Sequence, residues 1–177
     1  LVSVMTANNE TGVIQPIDKI VALAKSAGVA VHSDMVQVLG KQHLDFAGSG
    51  LDFASLSAHK IGGPAGVGAL LVRPGRAITS LLRGGGQEQG RRSGTENVIG
   101  IAGCGGAAKA AFEDIAHYRA MAAWRDGLEA RLVSQRNDAV LFGAGADRLG
   151  NTSCLAIGKR SSETMVMALD LAGVAVS

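Results

Sequence analysis

Ser57-Ala58-His59-Lys60 sets a hydroxyl, an imidazole and a primary amine within four positions. The segment follows the apolar run Asp52–Leu56 and precedes Gly62-Gly63-Pro64. A lysine amine attacks a carbonyl carbon only after losing its proton, and partial burial at the end of a core strand favours that loss. Lys60 is therefore a candidate Schiff-base nucleophile. Ser57 and His59 beside it offer hydrogen bonds to a phosphate. The plainer alternative for Lys60 is a loop lysine reaching solvent.

His32-Ser33-Asp34-Met35-Val36-Gln37 carries a second set of groups. A carboxylate at a strand end can keep a pyridinium nitrogen protonated and make the ring an electron sink, as pyridoxal phosphate sites require. Gln37, three residues on, reaches a ring hydroxyl if a helical turn starts at Asp34. Asp34 as a simple helix cap is the plain alternative. His32, Asp34 and His59 match no zinc spacing, and no cysteine pair accompanies them, so no metal is expected.

A third candidate is the loop Arg83–Asn97, RGGGQEQGRRSGTEN. Its glycines with Arg91, Arg92, Ser93 and Thr95 suit a phosphate through backbone N–H and hydroxyl donors. A mobile solvated loop is the alternative. Gly103 to Ala108 fits the G-x-G-x-x-A dinucleotide pattern. That pattern needs a second strand ending in an acid about 20 residues on. The chain there, YRAMAAWRDGLEARL, reads as helix instead. The small residues Gly103, Gly105, Gly106 and Ala107 then serve tight helix packing. Cys104 and Cys154 have no cationic neighbour in sequence and read as inert thiols.

The elements that would position these groups follow from periodicity. Leu1 to Thr6 reads as a buried strand and Ala7 to Gly12 as a polar turn. Pro16 opens a helix with Ile17, Ile20, Val21 and Ala24 on one face, closed by Gly28. Val29 to His32 is a second strand, and the three pieces form a βαβ unit, which implies a parallel sheet. Strands are expected at Asp52–Leu56 and Val67–Val72. A helical stretch follows from Val98 to about Val133, broken near Phe112–Ile115. The pattern then gives strands at Val140–Phe142 and Thr152–Ile157, a helix at Ser162–Leu171 and a last strand at Gly173–Ser177. Asn9, Asp34 and the Ser57–Lys60 segment each follow a strand, where open α/β sheets bind ligands.

Composition bounds the rest. The 177 residues are 47% hydrophobic and 18% charged, which excludes disorder and coiled coil. A net charge of +2 is too small to predict nucleic acid or a membrane as the main partner. Two cysteines make no disulfide framework, so a reducing, cytoplasmic compartment is expected. No signal peptide or membrane-spanning run stands out. Both ends read as core strands, so an internal piece of a longer protein is expected.

Taken in order and register, Ala7–Gly12, His32–Gln37, Ser57–Lys60 and the Arg83–Asn97 motif resemble the cysteine desulfurases. These belong to aminotransferase class V and to the fold type I pyridoxal phosphate enzymes. The resemblance covers essentially the whole chain and is strongest to the bacterial branch that supplies sulfur for iron–sulfur clusters and tRNA thiolation. It implies an α/β fold: residues 1–117 as part of the large cofactor domain, with a mostly parallel sheet and flanking helices. Residues 118–177 would begin the small α+β C-terminal domain. Lys60 would hold pyridoxal 5′-phosphate and later shuttle a proton. Asp34 would pair with the ring nitrogen, and Gln37 would bond the ring hydroxyl. Ser57 and His59 would bind the phosphate, and Asn9 would lie by the cofactor and the substrate carboxylate. Thr95 would reach the cofactor phosphate of a neighbouring subunit, which implies a homodimer. L-cysteine would be the substrate, with a sulfur-acceptor or scaffold protein as partner.

The family's persulfide cysteine lies on a Ser/Gly-rich loop past the strand matched by Gly173–Ser177. Cys104 and Cys154 do not align with it. It is expected beyond Ser177, and the 177 residues alone are expected to be inactive. The rival readings are a selenocysteine lyase or class V aminotransferase, which share Lys60 and Asp34, and a non-catalytic relic serving as a dimerising module.

Overall fold

The structure, a computed structural model, describes all 177 residues. Three parallel strands open the chain: β1 (Val2–Met5), β2 (Val31–Asp34) and β3 (Phe53–Ser57). Helix α1 (Ile17–Ser26) crosses between β1 and β2. It buries Ile17, Val21 and Ala24, the apolar stripe of its 3.6-residue repeat. It ends in a Schellman motif. Gly28 takes a φ of +66°, its N–H reaches Lys25 O at 3.0 Å, and Val29 N–H reaches Ala24 O at 2.8 Å.

Strand β4 (Gly68–Val72) closes the order β1-β2-β3-β4, antiparallel to β3. The β3–β4 connection holds a 3₁₀ turn, Ala58–Ile61, which carries His59 and Lys60. A short helix α2 (Phe46–Ser49) precedes β3, capped by Asp45, whose carboxylate accepts from Gly48 N–H at 3.0 Å. Buried Asp52 pins the β2–β3 entry. It accepts from Val31 N–H at 2.8 Å and from Arg76 Nε at 2.7 Å.

One sheet face is the core. Val31, Met35, Ala54 and Leu51 pack there with α1, Ala7, Val38 and Leu149. The opposite face carries Ser3, Met5, His32, Asp34, Phe53, Ser55 and Leu70, and no helix seals it. Met5 and Leu70 stay 37% and 53% exposed.

Helices α3 (Val98–Glu113) and α4 (Ile115–Gln135) meet at Asp114, inside the interval where the sequence predicts a break. Helix α3 docks against the Lys60 turn through small residues. Ala107 faces Gly63, and an added Cβ on Gly103 would stand 2.7 Å from Pro64 Cγ. The G-x-G-x-x-A pattern thus lies wholly inside a helix, without the strand–turn that binds a dinucleotide. Gly105 and Gly106 face open space and pack against nothing. The remainder is β5 (Ala139–Leu141), antiparallel to β6 (Leu155–Ile157), and helix α5 (Ser162–Leu171).

The expected strand at Gly173–Ser177 is absent. Gly173 and Val174 close the C-terminus of α5 by hydrogen bonds to Asp170 and Leu169, and residues 174–177 pair with no strand. The expected boundary between residues 117 and 118 falls in the first turn of α4. The segment between β5 and β6 does not stay with its own hairpin. It returns to the first loop, where Leu149 joins the main core.

Gly40 joins two of these parts. Its φ is +72°, and a Cβ there would stand 2.6 Å from Ala111 Cβ of α3. Gly40→Ala combines left-handed strain with overpacking, and a loss of about 1–3 kcal/mol is expected in denaturant unfolding. An unchanged midpoint would contradict this packing.

Candidate functional site

The parallel register places Met5 opposite Asp34 and Asp34 opposite Ser55, so the carboxyl ends of β1, β2 and β3 lie side by side. Each end carries, or leads within a few residues to, a residue singled out in the sequence. Asp34 is the last residue of β2 and half-buried. Its backbone carbonyl accepts from Thr6 N–H at 2.8 Å, and its Oδ1 accepts from Val36 N–H at 2.9 Å. The capping reading of Asp34 therefore holds for one carboxylate oxygen. The other has no hydrogen bond within the chain.

A turn does start after Asp34. Val38 and Leu39 N–H both reach Met35 O, at 3.1 and 3.2 Å. This sets Gln37 on the turn, half-buried, with Oε1 accepting from Lys41 Nζ at 3.4 Å. The long contact is a weak bond.

Ser57 ends β3, and its hydroxyl lies 2.8 Å from His59 Nδ1. Lys60 follows, exposed, with no hydrogen bond or ion pair to its amine. It lines a cavity of about 370 Å³ with Lys41, Ile61, Ala111, Asp114 and Tyr118. Burial, with the charge of Lys60 second, lowers the Lys41 pKa. Lys41 was not singled out in the sequence. Its only signal there is its place one residue after Gly40.

His32, weighed above as a metal ligand, is held by hydroxyls. Its Nδ1 lies 2.7 Å from Ser3 Oγ and its Nε2 lies 3.2 Å from Ser55 Oγ. Asn9 sits exposed on the turn after β1. The turn itself is built by Asn8, whose Oδ1 accepts from Glu10 N–H, Thr11 N–H and Thr11 Oγ1 at 2.8–3.0 Å.

Thr95 stands apart from this group. It is exposed and borders a different cavity, with Leu81, Leu82, Gly84 and Ser93. The loop around it bonds to itself. Ser93 N–H reaches Leu82 O, Ser93 Oγ reaches Gly85 O, and Arg92 reaches the carbonyls of Gly94 and Thr95. Glu88 and Gln89 hold φ values of +50° and +58°. Left-handed backbone at two neighbouring non-glycine residues is uncommon and costs local strain.

Sequence reading also missed a buried cluster near Asn9's turn. Glu129 of α4 receives a bidentate pair of bonds from Arg148, both 2.7 Å, and a third from Ser153 Oγ at 2.7 Å. No spacing rule links residues 19 and 24 positions apart on a helix and a loop. Arg148 holds the Glu129 carboxyl below the usual range, with burial opposing and Ser153 assisting. At Asp52 burial is the strongest influence and pushes upward, but bonds from Val31 N–H and Arg76 outweigh it.

Both folded-state values lie below those of the unfolded chain, so both groups stabilise the fold fully above the ordinary carboxylate range. That stability is lost as pH falls through the depressed values. Unfolding free energy is therefore expected to be flat near neutrality and to drop below about pH 4. Glu129→Gln removes part of that slope. Equilibrium denaturation between acid and neutral pH checks it, and an unchanged slope would contradict the assignment.

The chemistry of the set suits one kind of cofactor. A carboxylate with one free oxygen ends β2, a hydroxyl–imidazole pair and an unpartnered amine follow at the end of β3 and in the turn after it, and of these groups only Lys60 lines the cavity beside Lys41. These are the groups that a phosphorylated pyridine aldehyde needs. Such a set fits an α/β enzyme domain of the pyridoxal phosphate type. The family model for aminotransferase class V matches residues 1–177, and the chain belongs to that family. Its enzymes work with pyridoxal 5′-phosphate.

Two relatives show how near the likeness is. The chain is 45% identical over 177 residues to a cysteine desulfurase of Cereibacter sphaeroides, covering all of this chain and 45% of that one. It is 42% identical over 178 residues to the cysteine desulfurase NifS of Azotobacter vinelandii, again covering all of this chain and 44% of the relative. Among solved structures, a NifS-like protein from Rickettsia africae superposes with a TM-score of 0.92 at 34% identity. That match covers 99% of this chain and 49% of the other. DndA from Streptomyces lividans superposes with a TM-score of 0.77 at 31% identity, over 95% and 48% of the two chains. The chain thus spans about half the length of the relatives it matches. No helix is long and apolar enough to cross a membrane.

Proposed function

We propose that the protein carrying this chain is a pyridoxal phosphate-dependent cysteine desulfurase. The net reaction breaks the C–S bond of L-cysteine, leaves the carbon skeleton as L-alanine, and passes the sulfur to an enzyme thiol as a persulfide. The observation that carries the reading is a half-free Asp34 carboxylate at the end of β2 and an unpartnered Lys60 amine in the turn that follows the neighbouring strand β3.

When bound, the cofactor supplies an electron sink for the charge that develops at the substrate's Cα. The chain's own residues hold that cofactor and move the proton at Cα. Lys60 Nζ holds the cofactor and, once free, takes and returns a proton at Cα. The free oxygen of Asp34 keeps the ring nitrogen protonated. Lys41 donates to Gln37 Oε1, which would leave the Gln37 amide N–H groups free to bond the ring hydroxyl. Ser57 Oγ and His59 bind the phosphate, and Asn9 orients the ring and the substrate carboxylate. Thr95, separate from this group, serves the cofactor phosphate of a second subunit in a homodimer.

Neither cysteine of the chain takes the sulfur. Cys104 lies in the middle of α3 and Cys154 beside β6, and neither bonds to the site. The accepting thiol is assigned to the part of the protein outside residues 1–177. Twenty large apolar residues stay exposed, Ile99, Leu81 and Leu171 among the most open. Such a surface supports further chain or a second subunit covering this half. Delivery of the sulfur to iron–sulfur cluster assembly or tRNA thiolation, through an acceptor protein in the cytoplasm, completes the reading.

Product analysis of the purified protein with L-cysteine tests it. Equal amounts of L-alanine and reducible sulfur support it. Turnover of selenocysteine alone would make it a selenocysteine lyase. Transfer of an amino group to a keto acid would make it an aminotransferase. Failure to bind pyridoxal phosphate would leave a non-catalytic module.

A further inference from the structure

The segment between β5 and β6 holds the Asn9 turn from outside the large sheet. Leu149 N–H reaches Gly12 O at 2.9 Å, and Ile14 N–H reaches Asp147 O at 2.8 Å. Val13 and Arg148 form an antiparallel bridge. Gly12 is buried with a φ of +71°, and a Cβ there would stand 2.8 Å from Thr152 Cβ, so the two segments are in direct contact. The turn is in turn tied to β2, through Thr6 N–H to Asp34 O.

Helix α4 fixes that outside segment. Glu129 takes both guanidinium bonds of Arg148 and the hydroxyl of Ser153, and Arg125 Nη1 donates to Leu149 O at 2.6 Å. The Arg148 and Glu129 side chains are only 5% and 6% exposed. A planar fork–fork pair fixes angle as well as distance, and burial prevents water from replacing either partner.

We infer that Glu129 and Arg148 are positioning residues for the site: their ion pair sets the placement of the turn that carries Asn9. Neither side chain touches the Lys60–Asp34 group. They act through Asp147–Leu149 on Gly12–Ile14, and so on Asn9 and on the Thr6 bond to Asp34. The functional consequence rests on the pyridoxal phosphate reading above. The mechanical coupling does not.

The test uses the whole protein that carries this chain. Glu129→Gln is compared with wild type by amide hydrogen exchange without cofactor, by pyridoxal phosphate titration, and by kinetics on L-cysteine. Ser153→Ala, which removes one bond to Glu129, serves as the milder variant should Glu129→Gln fail to fold. Exchange at Ile14 and Leu149 is expected to speed up, while Asp52 and Met35, which bond within the β2–β3 pair, keep their rates. Cofactor affinity and KM are expected to weaken about tenfold with kcat less affected, as misplacement of a binding group remote from the chemistry does. Arg148→Lys, which keeps the charge without the fork, is expected to fall between.

Unchanged exchange at Ile14 overturns the inference, whether or not the protein binds pyridoxal phosphate. Faster exchange at Ile14 with unaltered cofactor affinity and KM in a cofactor-binding protein also overturns it, leaving a purely structural pair. A wild-type protein that takes up no pyridoxal phosphate overturns the Lys60 reading instead, and exchange alone then decides the coupling.

Discussion

Lys60→Ala is expected to abolish covalent retention of pyridoxal phosphate and to lower turnover of L-cysteine by about a thousandfold or more. The size follows from two roles on one atom. The amine holds the cofactor, and it moves the proton at Cα. Alanine removes both. Lys60→Arg is expected to fare little better, because a guanidinium stays protonated at any working pH and cannot act as nucleophile or base. The cost to folding is expected to be small, since the side chain is exposed and makes no hydrogen bond. Loss of the imine absorbance, with matching melting curves when both proteins are cofactor-free, is the predicted pattern. Retained absorbance in Lys60→Ala would move the nucleophile elsewhere.

Glu129→Ala carries the largest expected effect on stability. It leaves the Arg148 guanidinium buried without a counter-charge, and breaking such a pair costs about 3–5 kcal/mol. That is a large share of a total stability of about 5–15 kcal/mol. Replacing both partners with apolar residues, Glu129→Leu with Arg148→Met, is expected to cost far less than the single change, because the double variant strands no charge. Denaturant unfolding of wild type, Glu129→Leu, Arg148→Met and the double variant closes the cycle. A single variant no worse than the double would mean that the pair contributes little.

The strand ends and the residues near them were legible because they rest on local rules. Ile17, Val21 and Ala24 recur at helical spacing, Gly28 supplies the left-handed close, and the βαβ unit then forces a parallel sheet. From there Asp34 and Lys60 fall at adjacent carboxyl ends. The α3–α4 break was legible for a similar reason, since Phe112–Ile115 interrupts the apolar pattern. What was not legible depends on contacts far apart in sequence. Gly173–Ser177 has strand-like residues, yet no neighbouring strand offers hydrogen bonds, so the segment closes α5 instead. The strand nature of Gly68–Val72 was readable, but its antiparallel direction is set by how the Lys60 turn folds back. Glu129, Arg148 and Ser153 look like ordinary surface residues until the β5–β6 connection brings them together. The distance of Thr95 from the other candidates has the same origin. Motif order says nothing about whether two loops share a cavity.

The most direct test of the central claim is to load the purified protein with pyridoxal phosphate, reduce it with borohydride, and map the modified residue by mass spectrometry. Reduction fixes the cofactor on whichever lysine holds it. A single pyridoxyl-lysine at Lys60 is the expected result. Modification of Lys41 or any other lysine in its place, or no modification at all, would contradict it.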